Sequence, residues 1–347
     1  MELNAKSIVE INLSCEPLNF GRLKNKSINL LLVLSLDNEV IRDYFNKIRN
    51  KKIARCIFKL ELPTFIDVKT LPSFKAYVIC LKKLNSKQLA CGSEDLRIWC
   101  LQTGSFFNLI GHKNDVVCLL QLKSNELISG GQDKLIKIWN FLTKTCLNTL
   151  IGHEGEISCV IKLDENQIVS SSEDKKLKLW DTKSGNCIKT FGGNFGKSLL
   201  KLNLDQFISV GVDKNNDDPP IMILEVQTEK CLDRLVDHEL DILFLLRLSY
   251  KEIASGSIDQ SIKIWDLQNR NCLRTLSEHD SFITCLLKLD SIKLASGSFD
   301  NTIKIWNYKT GICLKTINVH SEINCMVKLN LWQFAFGTDC FIGIYEI

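Results

Sequence analysis

Five tryptophans recur along this chain at a nearly fixed interval. Trp99, Trp139, Trp180, Trp265 and Trp306 are separated by 40, 41, 85 and 41 residues. The 85-residue gap is two periods with one tryptophan missing, and Leu224 stands in the empty slot. Tyr345 extends the series 39 residues beyond Trp306. Seven equivalent slots result. A period of about 40 residues, with histidine early and tryptophan late, predicts an all-β chain folded as a seven-bladed propeller of four-stranded blades.

One unit shows why each repeat reads as strands. "SGSIDQSIKIW" and "SGSFDNTIKIW" lie 41 residues apart. In "SIKIWD", Ile262, Ile264 and Asp266 alternate with Lys263 and Trp265, the period-two pattern of a strand. The preceding Gly-Ser-x-Asp run supplies a tight turn. "NCLRTL" forms a further strand, "SEHDS" a loop, and the apolar run "ITCLLKL" a buried strand. The repeats contain no helical spacing sustained over three turns.

Several marks recur in one register. Gly-His stands at Gly111-His112 and Gly152-His153, and changes to Asp237-His238, Glu278-His279 and Val319-His320. Trp-Asp stands at Trp180-Asp181 and Trp265-Asp266, with Trp-Asn at Trp139-Asn140 and Trp306-Asn307. On these marks the chain resembles the WD40-repeat family from roughly Thr64 to Ile347. The resemblance implies a buried chain of hydrogen bonds in each regular unit. The matching sets are His112, Ser129, Asp133 and Trp139; His153, Ser170, Asp174 and Trp180; His238, Ser255, Asp259 and Trp265; and His279, Ser296, Asp300 and Trp306. A satisfied buried network of this kind stiffens what surrounds it.

Three units depart from the pattern. The first has Phe74 and Cys91 at the His and Ser slots, and a turn two residues shorter around Asp95. The fourth has Asn194, Ser209 and Asp213, with Leu224 for Trp. The seventh has His320 and Asp339, with Ala335 and Tyr345 for Ser and Trp. Apolar packing is expected to hold these units. The last unit ends at its third strand, "FIGIYEI". Aligning "VKTLPSFKAYVICLKKL" with "FFNLIGHKNDVVCLLQL" puts Phe65 to Leu71 in the missing fourth-strand slot. A ring closed in this way has no exposed sheet edge. The domains are then 64–347, the propeller, and 1–63, an N-terminal extension.

That extension is basic and of mixed or helical character. "NEVIRDYFNKIRNKK" places Ile41, Tyr44, Phe45 and Ile48 on one helical face. It holds 11 Lys and Arg against 7 Asp and Glu, which leaves 33 of each sign in the rest and accounts for the net charge of +4. A solvated helix packing one apolar face is the simpler reading. Binding to nucleic acid or an acidic partner is the alternative. No signal peptide is visible, and Ile28 to Leu34 is too short to span a bilayer. Ten of the 15 cysteines are periodic: Cys80, Cys118, Cys159, Cys285 and Cys325 share one position, and Cys146, Cys187, Cys231, Cys272 and Cys313 another. Both sets read as small buried hydrophobes rather than a disulfide framework. A reducing, cytoplasmic setting is expected, with the nucleus also open.

Catalytic chemistry finds few candidates. All five histidines fall in the repeat slot, which leaves none for a general base. No Cys-x-x-Cys zinc pair occurs. "GGNFGKS" at Gly192 to Ser198 has one residue too few between its glycines for a phosphate loop, and no helix follows it. We therefore expect no catalytic residue, cofactor or metal. The expected role is a non-enzymatic scaffold for protein–protein interaction. In similar propellers ligands sit on the face of the Gly-His loops and aspartate turns. Units five and six put Leu243, Ile258, Phe282 and Phe299 at its outward positions, where units two and three have polar residues such as Gln132 and Glu173. Asp217 and Asp218, in an insertion of unit four, would add a polar rim. The resemblance leaves two other roles open: a substrate receptor of a ubiquitin ligase, or an RNA-associated subunit. Receptors of the first kind usually carry Trp-Asp-x-Arg, but "WDTK" and "WDLQ" stand here.

Overall fold

The computed structural model describes residues 69–71, 77–211, 219–228 and 230–347. These form 28 strands and no helix. The strands assemble into seven four-stranded antiparallel sheets, the seven blades of a propeller. Blade five is representative, with Ile242–Arg247, Glu252–Ser257, Ile262–Asp266 and Asn271–Leu276 from the inner to the outer strand. Alternation decides which side chains it buries. Ile262 and Ile264 are fully covered, while Lys263 between them reaches solvent.

The inner strands adjoin one another in a ring, with Ile323–Lys328 of blade seven against Cys80–Lys83 of blade one. The apolar core consequently lies in the seams between blades. Each seam holds one cluster, and the tryptophan slot of every blade packs against the blade before it. Trp265 joins Ile208 and Ile223 of blade four, and Trp99 joins Ala335 and Ile342 of blade seven. Leu224 and Tyr345 do the same in their own seams. Glycine after the serine slot lets the blades approach this closely: a Cβ on Gly256 would lie 2.6 Å from Ile283 of the next blade.

Blade seven takes its outer strand from the other end of the chain. Lys69–Leu71 pairs antiparallel with Ile342–Glu346, with Lys69 opposite Ile344 and Leu71 opposite Ile342. The extension at 1–63 lies outside the described residues, as do Phe65, Phe74, Asp213, Asp217 and Asp218.

The two cysteine sets have different environments. Cys118 and Cys159 lie in inner strands, where burial pushes their thiols up, and Cys285 is pushed up to about 12 by the same cause. The second set was expected in the core and is not there. Cys146, Cys187 and Cys231 are exposed on outer strands, and Cys272 and Cys313 are half-buried. Each stands opposite the tryptophan slot at a β-bulge, as Cys272 does to Trp265. The bulge turns each thiol to the carbonyl two residues on, at 3.3 Å for Cys146 and Asn148. A repeated sequence position here reports a repeated backbone irregularity, not a repeated core site.

Candidate functional site

The upper face of the ring is built by the loops entering the inner strands and by the turns between second and third strands. In blades two, three, five and six these carry the four-residue networks. In blade six the Trp306 indole N–H donates to Ser296 Oγ at 2.8 Å. The serine lies 2.6 Å from His279 Nε2, and His279 Nδ1 lies 2.6 Å from Asp300. Blade five repeats these contacts at 2.7, 2.6 and 2.6 Å through Trp265, Ser255, His238 and Asp259. In blades two and three Trp139 and Trp180 reach Ser129 and Ser170 at 2.7 and 2.8 Å. His112 and His153 link those serines to Asp133 and Asp174.

One direction of this relay uses every donor. Serine accepts from indole, and its own hydrogen is satisfied by going to an unprotonated histidine Nε2. Histidine then donates through Nδ1 to the carboxylate. A neutral ring satisfies every group. Burial accordingly pushes His112 and His153 below the ordinary imidazole range despite their carboxylate partners. Burial also favours the neutral form of Asp259, but hydrogen bonds from His238 and Ser261 override it and bring the carboxyl down to about 2. Asp300 is held lower still against the same burial cost, by His279 and Thr302. Each aspartate also accepts the backbone N–H after its histidine, as Asp174 does from Glu154 at 3.0 Å, which ties the entry loop to the turn. These four histidines are thus spent on structure.

The fifth histidine is not. His320 is exposed, has a left-handed backbone at φ 62°, and makes no hydrogen bond among the described residues. Asp339 accepts instead from Asn324 Nδ2 at 3.1 Å. Blade seven is held by aromatic packing, with Phe334 and Tyr345 rings 5.3 Å apart. In blade four Ser209 donates to the carbonyl of Val210, and Phe207 meets Phe191 of blade three edge-on at 5.7 Å.

Between these supports the upper face carries an apolar strip. Phe282 and Phe299 are each 38 % exposed and their rings lie 5.9 Å apart. A backbone bond from Phe299 N–H to Phe282 O, 3.1 Å, sets the pair side by side. Ile258 N–H makes the matching bond to Asp241 O at 2.9 Å. Leu243 and Ile258 are half-buried and line a cleft of about 260 Å³. Blades three and four complete it with Phe195, Lys175 and a Glu173–Lys197 ion pair at 3.4 Å. Glu173 was expected to lie apart from the strip and instead forms the cleft's polar wall. The cleft itself escaped sequence reading because three blades build it.

Comparison with known proteins follows the same division of blades. The family model described as "WD domain, G-beta repeat" matches residues 98–140, 144–181, 229–266 and 270–307. The matches end at Trp139-Asn140, Trp180-Asp181, Trp265-Asp266 and Trp306-Asn307, in the four blades that hold the hydrogen-bonded relay. This chain is a WD40-repeat protein. Similar solved folds include the WD40 beta propeller domain of Doa1, with TM-score 0.70 and 19 % identity, covering 82 % of this chain and 98 % of that one. The structure of U3-55K superposes with TM-score 0.72 and 17 % identity, covering 81 % and 98 %. At such identity these WD40 neighbours establish the fold alone. No curated protein matches the chain in sequence.

Proposed function

We propose that this WD40 propeller is a non-enzymatic platform that binds a peptide or protein segment across blades four to six of the upper face. The observation that carries this is the exposed Phe282–Phe299 pair. On the same face, blades three to five form a cleft with an apolar lining at Leu243 and Ile258 and a charged wall at Glu173 and Lys197. Aromatic anchors and a partly apolar cleft with a polar edge match the anatomy of interaction hot spots. The networks below hold the turns rigid, so little ordering cost falls on binding. The bound segment would place an apolar side chain against the two rings and a polar group toward Glu173 and Lys197.

The test is the double variant Phe282→Ala, Phe299→Ala, with Gln132→Ala, Glu94→Ala as control on blades one and two. Both rings are partly exposed, so the melting temperature should shift by less than the equivalent of about 1 kcal/mol. Proteins that co-purify with the wild type should be lost from the aromatic variant and kept by the control. An unchanged set of co-purifying proteins on a normally folded double variant would refute this site.

A further inference from the structure

The lower mouth of the ring carries charge that the upper-face reading does not use. Six of the seven inner strands carry a basic residue in one slot, just before a leucine: Lys83, Lys162, Lys201, Arg247, Lys288 and Lys328. Each reaches across a seam to the carbonyl of the corresponding leucine of the preceding blade. Lys162 Nζ donates to Leu122 O at 2.7 Å, and Arg247 to Leu202 O at 2.5 Å. Lys83, Lys201, Lys288 and Lys328 bond Leu329, Leu163, Leu248 and Leu289 in the same way.

The exception is informative. Blade two has Gln121 in this slot, and its amide turns to Ser124 O at 3.3 Å. The seam between blades one and two would then lack a cation, but Lys82 supplies one from the adjacent position. Strand alternation turns Lys82 away from blade seven and toward blade two. Its counterparts, such as Leu120 and Leu246, are apolar and pack in the corresponding seams. Burial holds the Lys82 amine below the ordinary lysine range. Each of the seven seams therefore holds one basic side chain.

A hydrogen bond to a neutral carbonyl spends one N–H of each cation and leaves its charge without a counter-charge. None of the seven has a carboxylate at ion-pair distance among the described residues. The nearest in sequence, Asp164 and Asp290, spend Oδ1 on turn N–H groups. Like charges gathered round one mouth repel, and a lysine with one hydrogen bond keeps two N–H groups for another acceptor. We propose that the lower mouth binds a compact, soluble polyanion carrying several phosphate groups, held by Lys82, Lys83, Lys201, Arg247 and Lys288 with their ring neighbours. The phosphates would neutralise the ring and stiffen the seams together.

The experiment is calorimetric titration of the full chain with inositol hexakisphosphate and with tripolyphosphate at physiological salt, beside co-sedimentation with phosphatidylinositol bisphosphate vesicles. Binding in the micromolar range is expected for the free polyanions. Lys201→Gln with Lys288→Gln should weaken it about tenfold or more. Lys201→Arg with Lys288→Arg should retain it, which separates lost charge from lost folding. Lys113→Gln with Lys134→Gln, on the upper face, should leave it unchanged. Absent binding of either free polyanion, binding seen only on vesicles, or equal weakening by the upper-face control would each overturn the proposal.

Discussion

Blades six and four use the same strand arrangement and are held by different forces. In blade six, Trp306, Ser296, His279 and Asp300 form one buried relay from the third strand to the upper turn. In blade four the serine bonds only its own neighbour's carbonyl, and Leu224 fills the tryptophan slot at 2 % exposure. Both slots seal the seam to the preceding blade. The difference shows that seam packing is what every blade must supply. The relay is an addition that fixes the upper loops where it occurs. Blade seven lies at the far end of this range: it has no relay, and it takes its outer strand from residues 69–71.

That ranking predicts which damage is worst. Removing residues 1–72 deletes the strand paired with Ile342–Glu346 and leaves an open sheet edge on a blade without a relay. Aggregation is expected, whereas a chain lacking only residues 1–63 should stay monomeric by size-exclusion chromatography. Equal aggregation of both would show that strand closure is not what separates blade seven from the rest.

A smaller effect compares the two serines directly. Ser296→Ala strands the Trp306 N–H and the His279 ring nitrogen in a buried site, at a cost of about 2–4 kcal/mol. Ser209→Ala removes one hydroxyl bonded to the adjacent residue's carbonyl and should cost less than about 1 kcal/mol. Urea denaturation of the two variants measures both. Equal losses would mean that blade four contains a network the geometry does not show.

Acid should expose the relay blades next. The Asp259 carboxyl stands at about 2 against an ordinary 3.8. A depressed carboxyl stabilises the fold above its unfolded value, and that contribution disappears as pH falls from about 4 toward 2. It amounts to about 2 kcal/mol. Asp259→Asn should therefore melt lower than wild type at neutral pH and lose less stability on acidification. Asp95→Asn in blade one should differ little from wild type, because the Asp95 carboxylate is half exposed and bonds the side chains of Arg97 and Asn108 rather than a histidine. Parallel acid slopes for wild type and Asp259→Asn would remove the aspartate from the relay's energetics.

The smallest effect concerns backbone strain in the turn beneath the relay. Lys134, Lys175, Gln260 and Asn301 all follow the relay aspartate with φ between 62° and 68°. Asparagine is enriched in this region, whereas glutamine adopts it at a greater cost. Gln260→Gly should raise the stability of blade five by about 0.5 kcal/mol, the relief outweighing the greater freedom of the unfolded chain. A fall in melting temperature would show that the turn is not strained.

Much of this was legible along the chain. The tryptophan period marked the blades, and the His, Ser and Asp spacings matched the four relays residue for residue. His320 has the repeat spacing but makes no relay, because Ala335 at the serine slot has no hydroxyl to donate to the ring. The outer-strand cysteines misled because a bulge repeats as faithfully as a core site. The basic residues of the lower mouth also recur at the blade period, at Lys162, Lys201, Arg247, Lys288 and Lys328, and the period alone gives no reason to group them.

By itself, the sequence determined what each blade does locally. A strand's alternation, a turn's aspartate and a tryptophan's bulk act over a few residues, so their spacing can be read directly. Only the tertiary structure decided what the seams and faces hold. The core, the cleft between blades three and five and the ring of cations all depend on which residues of different blades come within about 4 Å of one another. Closing seven units into a ring sets those distances, and it joins the first described strand to the last.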